Sequence, residues 1–147
     1  MIRVGFLVSR VLRTGPNTNM MALLRHLPTE DVEAEVIVLD SGSDPGMVRD
    51  LEAMGVPLLT VPEGGSWRRR TYLRGMIAHR GYSTVLSCGI RGDLFNLVAC
   101  PAQLRGVIKQ EPAFTPFGGS MKTIVVRLAH MVVIRGVNVF PAAVDEI

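Results

Sequence analysis

The 147 residues are the length of a single domain, and a hydrophobic content of 48% supplies enough apolar surface for a packed core, which excludes a disordered chain. The net charge of +3 is unevenly spread: residues 1–65 carry five Lys/Arg against nine Asp/Glu, whereas residues 66–109 carry eight Lys/Arg against Asp93 alone. Aromatic residues at 5% are too sparse for a nucleic-acid stacking platform, so the cationic middle third points to a phosphorylated ligand or an anionic lipid surface.

Ile2 to Val8 is a nearly continuous apolar run and predicts a strand buried on both faces. Ser9 to Asn19, with Gly15 and Pro16, predicts a loop, and Met20, Met21, Leu23, Leu24 and Leu27 recur at helical spacing until Pro28. Val36 to Leu39 then reads as a strand, Pro45 to Met54 as a helix stopped by Gly55, and Val56 to Val61 as a third strand. Arg68 to His79 predicts an amphipathic helix with Tyr72, Leu73, Met76 and Ile77 on its apolar side, and Thr84 to Cys88 a fourth strand. Asp93 is placed as the cap of a helix that runs to Pro101, followed by a strand over Gly106 to Lys109. Ser120 to about Arg135 is expected to be a longer helix, and Val137 to Phe140 a sixth strand.

That alternation predicts an α/β fold: a Rossmann-like, doubly wound, mainly parallel sheet of about six strands, in a single domain over residues 1–147. The switch point is expected beside the first strand, with ligands gathered at the carboxyl ends of the strands. No apolar run approaches the roughly 20 residues that a membrane-spanning helix needs, and no leader precedes Met1, so the chain is expected to be cytoplasmic. Cys88 and Cys100 fall in buried-looking segments and are expected to be free thiols.

The first loop is the best candidate for an anion site. It leads from a strand's carboxyl end to a helix's amino terminus, where free N–H groups favour phosphate, and Thr14, Gly15, Pro16 and Asn17 are its expected contacts. Neither a dinucleotide fingerprint nor a phosphate-binding P-loop sequence is present. Cys88 to Asp93 leaves the fourth strand for a helix, so Cys88, Arg91 and Asp93 are candidates for the same crevice, although capping alone explains Asp93. Gln110 and Glu111 end the fifth strand; Glu111 is the one candidate base, a lone carboxylate, and Phe114 and Phe117 lie in the loop that follows. Trp67 with Arg68, Arg69 and Arg70 has the composition of an interfacial anchor, and equally that of a solvated helix face, so a peripheral contact with the inner face of the membrane is one expectation. His26, His79 and His130 have no metal-ligand spacing, and neither a metal nor a resident cofactor is expected.

In element order the chain resembles the amino-terminal domain of family 4 retaining glycosyltransferases, which have the GT-B architecture. The residues that carry this are Ile2 to Val8, the Thr14-Gly15-Pro16 loop, Met20 to Leu27, Leu51 to Pro57, Val85 to Leu94 and Val137 to Glu146. The resemblance implies the acceptor-side half of an enzyme that moves a sugar from a nucleotide-sugar donor to a glycan, lipid or small-molecule acceptor. It also implies that the Gly15 loop lies against the donor diphosphate, that Cys88, Arg91, Asp93 and Gln110 line the acceptor side, and that a carboxy-terminal donor domain is missing, so that the chain alone does not transfer sugar. A non-catalytic nucleotide- or anion-binding module of the same fold is the alternative. Met131 to Pro141 with Val144 to Ile147 also resembles the hinge of phenylacetate-CoA ligase-type adenylate-forming enzymes, which would make the tail foreign.

Overall fold

In the computed structural model the structure describes residues 1–114, 120–128, 131–134 and 137–139, with side chains through residue 106 and at Ile108. Within them, five parallel strands and four helices form the expected α/β, Rossmann-like arrangement. In chain order these are β1 (Ile2–Val8), α1 (Gly15–His26), β2 (Val32–Val38), α2 (Pro45–Ala53), β3 (Leu58–Thr60), α3 (Ser66–Arg80), β4 (Thr84–Cys88), α4 (Ile90–Ala99) and β5 (Arg105–Phe114), with a 3-10 turn over Ala102–Leu104. The sheet continues antiparallel through β6 (Ser120–Leu128), β7 (Met131–Ile134) and β8 (Val137–Val139), and its spatial order is β3-β2-β1-β4-β5-β6-β7-β8. β1 pairs with β2 on one side and β4 on the other, so the strand order reverses at the β1–β4 boundary, as the sequence predicts.

Alternation along the strands builds two cores. Val4, Phe6 and Val8 of β1 join Val36 and Val38 of β2 on one face, where Met20, Met21 and Leu24 of α1 and Met47 and Leu51 of α2 cover them. Leu7, Ile37, Leu39 and Val85 point the other way and pack on Leu73 and Ile77 of α3 and Phe95 and Ala99 of α4. A strand with both faces buried cannot alternate polar with apolar, which is why β1 reads as an apolar run.

Four expectations need correction. α1 starts at Gly15, not near Met20, because Pro16 sits in its first turn, where a fixed φ and a missing N–H suit a helix start. α4 starts at Ile90, three residues before Asp93, because Gly89 at φ 80° and ψ 161° turns the chain directly out of β4. Residues 120–128 and 131–134 are strands where a helix was expected: Thr123, Ile124, Val125 and Val126, then Val132, Val133 and Ile134, are consecutive β-branched residues, and their stiffness at χ1 outweighs the helical spacing of the apolar positions. β5 likewise runs on to Phe114, so Gln110 and Glu111 lie within a paired strand, opposite Ile124 and Thr123, and not at its end. Their side chains, the loop around Phe117, His130 and residues 140–147 lie outside the described residues.

Candidate functional site

At the carboxyl edge of the sheet, where β1 and β4 diverge, a cavity of about 320 Å³ is lined by Ser9, Arg10, Leu12, Thr14, Pro16, Asn17, Cys88 and Gly89. The first helical turn leaves its leading N–H groups without intrahelical partners. At α1 the Thr14 N–H donates to the Leu12 carbonyl (2.8 Å), Pro16 has no N–H, and the Thr14 side chain does not cap. The amides of Gly15 and Asn17 are therefore left as donors; Asn17 lines the cavity and Gly15 does not, although its neighbours Thr14 and Pro16 do, and no acidic residue in that turn competes for these amides. α4 also begins at this cavity, at Gly89, and no side chain caps it.

The loop that presents these amides is held from behind. Asn17 is 5% exposed, and its Nδ2 donates to the carbonyls of Arg10 (2.7 Å) and Leu12 (3.0 Å). Its side chain is thus a clamp on the loop, and its backbone N–H is what it offers to a ligand. On the far side Asp44 caps α2 by accepting from Met47 N (2.9 Å), and its own N–H donates to Val11 O (2.8 Å), which ties the loop to α2.

Of the residues expected on the β4 side, Cys88 lines the cavity but is buried, its thiol pushed up to about 12 by burial and by the charge of Asp93, so it is inert at neutral pH. Asp93 neither caps α4 nor lines the cavity. It accepts from the fully buried Ser87 Oγ (2.6 Å), while Asn96 Nδ2 donates to the Val85 and Gly106 carbonyls, so this trio fastens α4 to β4 and β5. Arg91 reaches across to Asp40, just beyond β2, with Nε 2.9 Å from Oδ2. Sequence reasoning missed Asp40 altogether; its position after the second strand of a switch-point sheet was the available signal. Among the described residues no histidine lines the cavity: His26 ends α1, and His79 lines a separate groove along β3 and α3. No group of three metal-ligating side chains occurs among them either.

The interfacial-anchor expectation over Trp67 to Arg70 also needs correction. Successive helical residues point about 100° apart, so the three consecutive arginines at the start of α3, Arg68 to Arg70, do not share a face. Arg68 is exposed, Arg69 is turned inward to Asp40 (3.1 Å), and Arg70 lies 5.3 Å from the Trp67 ring and donates to the Val98 carbonyl. No helix among the described residues is long and apolar enough to cross a membrane.

No family model matches the chain, and no curated protein does. Among solved structures it is similar to glycinamide ribonucleotide transformylase 1 from Symbiobacterium toebii, at 18% identity and a TM-score of 0.51 over 88% of this chain and 66% of that one. It is also similar to the phosphoribosylglycinamide formyltransferase from Streptococcus pneumoniae TIGR4, at 14% identity and a TM-score of 0.51 over 88% of this chain and 74% of that one. The chain thus spans just under two thirds of the first of these, and at such identities the likeness is one of fold. It overturns the expected assignment to a GT-B glycosyltransferase half with a nucleotide-sugar and a glycan acceptor, because the neighbours are formyltransferases. It supports neither the non-catalytic binding module nor the adenylate-forming tail. The order of βα units in the first 100 residues is common to many Rossmann-like enzymes, and such an order does not separate one chemistry from another.

Proposed function

We propose that this chain is part of a group-transfer enzyme of the formyltransferase kind, and that its switch-point cavity holds the phosphate of a phosphoribosyl-type substrate. The observation that carries this is the uncapped start of α1 at a cavity lined by Thr14, Pro16 and Asn17, with Gly15 between them and the start of α4 at Gly89 on the same cavity. Both solved structures of like fold are named for a ribonucleotide or phosphoribosyl substrate, which supports a phosphate as the occupant. The larger groove of about 590 Å³ along β3 and α3 is less suited: it lies at the sheet's edge, and no helix begins there.

In this role the chain's own residues bind and orient. Thr14, Gly15, Pro16 and Asn17 form the phosphate cradle, Asn17 Nδ2 holds the cradle's shape, and Gly89 keeps the opposite wall free of side chain. A phosphate fixed here places the sugar along the β1–β4 boundary, which makes a reaction at its far end effectively intramolecular.

Titration with ribose 5-phosphate, followed by amide chemical shifts, tests the assignment. The Gly15 and Asn17 amides are expected to move most, and ribose without phosphate to move neither. Thr14→Asp separates binding from folding. A carboxylate at this cap accepts from the first-turn amides itself, so thermal stability should rise by up to about 1 kcal/mol. Ribose 5-phosphate affinity should fall by at least about tenfold, because the cradle is occupied and repulsive. Undiminished affinity in a Thr14→Asp chain of raised stability would place the phosphate elsewhere.

A further inference from the structure

Beside the cavity one carboxylate serves two guanidinium groups. Asp40 Oδ1 accepts from Arg69 Nη1 (3.1 Å) and Arg91 Nη2 (3.2 Å), and Oδ2 accepts from Ser9 Oγ (3.0 Å) and lies 2.9 Å from Arg91 Nε. All four lone-pair positions of Asp40 are taken, so it cannot also read a ligand's hydroxyl groups. Burial pulls its pKa upward, but the hydrogen bonds from Ser9 and Arg69 and the charges of both arginines outweigh that and hold it below the ordinary carboxylate value. One negative charge facing two positive ones leaves the cluster at +1.

The surplus has a definite place. Arg69 is 7% exposed, and its Nε and Nη2 are buried with no acceptor among the described residues. Its guanidinium lies 5.5 Å from the centroid of the Phe95 ring, and that of Arg91 lies 5.9 Å from the same centroid. Phe95 and Arg91 both belong to α4, and Arg91 is in its uncapped first turn. The ring face attracts the charge but accepts no directed N–H bond as an oxyanion would. Arg91 has half of its side chain exposed, whereas Arg69 is buried.

We propose that Arg69 and Arg91, with the first turn of α4, form a second oxyanion subsite that takes a phosphate group, reached when Arg91 turns from Asp40 to the ligand. Asp40 is its positioning residue: it preorganises both guanidiniums and is displaced from one of them on binding. The proposal builds on the phosphate cradle at α1 for the kind of substrate, but the subsite stands on its own residues, joined to the cavity through Ser9, which lines it and donates to Asp40.

Titration of the whole chain with inorganic phosphate at constant ionic strength, followed through the arginine Nε–H resonances, tests it. The Arg69 and Arg91 signals are expected to shift with one common saturation curve, separately from the Gly15 and Asn17 amides. Arg91→Ala should weaken phosphate at this subsite by about tenfold or more and leave the shifts at Gly15 and Asn17 unchanged. Asp40→Asn should tighten it several-fold, because a competing anion is removed; a purely structural ion pair predicts no such gain. Should Asp40→Asn not fold, Arg91→Ala decides, since that side chain is exposed. Arginine signals that do not respond, or unchanged affinity in Arg91→Ala, overturn the subsite, whereas silent Gly15 and Asn17 amides beside responsive arginines would overturn the α1 cradle alone.

Discussion

Burial sets the chemistry of the two thiols. Cys88 is pushed up to about 12, by burial and by the charge of Asp93, and Cys100 to about 11, by burial and against the charge of Arg105. In the unfolded chain both titrate near 9.0, so between that pH and their native values the unfolded state has lost protons that the folded state keeps. The sign follows: stability from these thiols is fully present below about pH 9 and declines as pH rises through 11 and 12, by about 1 kcal/mol per pH unit for the more buried Cys88. Tyr82 acts in the same sense at higher pH, since burial and its hydrogen bond to the Glu35 carboxylate raise its phenol. Urea midpoints measured from pH 8 to 10.5 should therefore fall, and the fall should be shallower in a Cys88→Ala/Cys100→Ala chain. Equal slopes in the two proteins would mean that the thiols titrate alike in both states. Legibility at this scale was uneven: the fate of the cysteines as buried free thiols was visible in the apolar segments around them. The role of Arg69 was not, because a run of three arginines gives no sign of which one a helix turns inward until the helix phase and the acceptor Asp40 are both known.

Between elements the tightest junction is that of α4 with β1. A methyl group added at Gly92 would lie 2.8 Å from the Leu7 carbonyl oxygen, closer than real Cβ atoms come, and the obstacle is backbone in the central strand. Gly92 lets the helix approach β1, and Gly89, three residues earlier, supplies the positive φ that starts it. Gly92→Ala is expected to push α4 outward and to destabilise the fold by about 1–3 kcal/mol, which chemical denaturation would measure. The same substitution at Gly75, on α3 with open space around its Cβ position, should be neutral or slightly stabilising and serves as the control. Strands β1 and β4 were legible to the residue, since a both-faces-buried strand is an unbroken apolar run with polar or glycine punctuation. The starts of α1 and α4 were not: Pro16 and Gly89 read as loop residues in isolation and become helix-start residues only beside the strands that precede them. The strands after Ser120 were misread because Ile124, Leu128 and Met131 keep a helical spacing, and the β-branched run through them decides the matter only when β5 is there to pair with.

At the scale of the molecule, alternation of strand and helix with right-handed crossovers does not by itself set strand order, but it made a switch point beside β1, as found in β3-β2-β1-β4-β5, the leading expectation; the antiparallel extension was not open to prediction, because it depends on pairing between segments whose local pattern is ambiguous. The same alternation is shared by enzymes of many kinds, which is why the order of elements pointed to the switch-point crevice but misdirected the choice of reaction. Topology does carry a measurable consequence. β1 is hydrogen-bonded on both sides, to β2 and β4, and Phe6, Leu7 and Val8 are fully buried between the two helical layers. β3 has three residues, pairs on one side only, and keeps Leu58 and Leu59 half-buried. Local opening of β3 disrupts few contacts, whereas exposing β1 requires both cores to separate, so its amides should exchange only through global unfolding. Hydrogen exchange should accordingly give the slowest rates at Phe6, Leu7 and Leu86 and much faster rates at Leu58 to Thr60. The β1 rates should track global stability as denaturant is added, while those of β3 stay nearly flat. Rates in β3 as slow and as denaturant-sensitive as those in β1 would mean that its single ladder is reinforced from outside, and the two-layer account of where the stability resides would have to be given up.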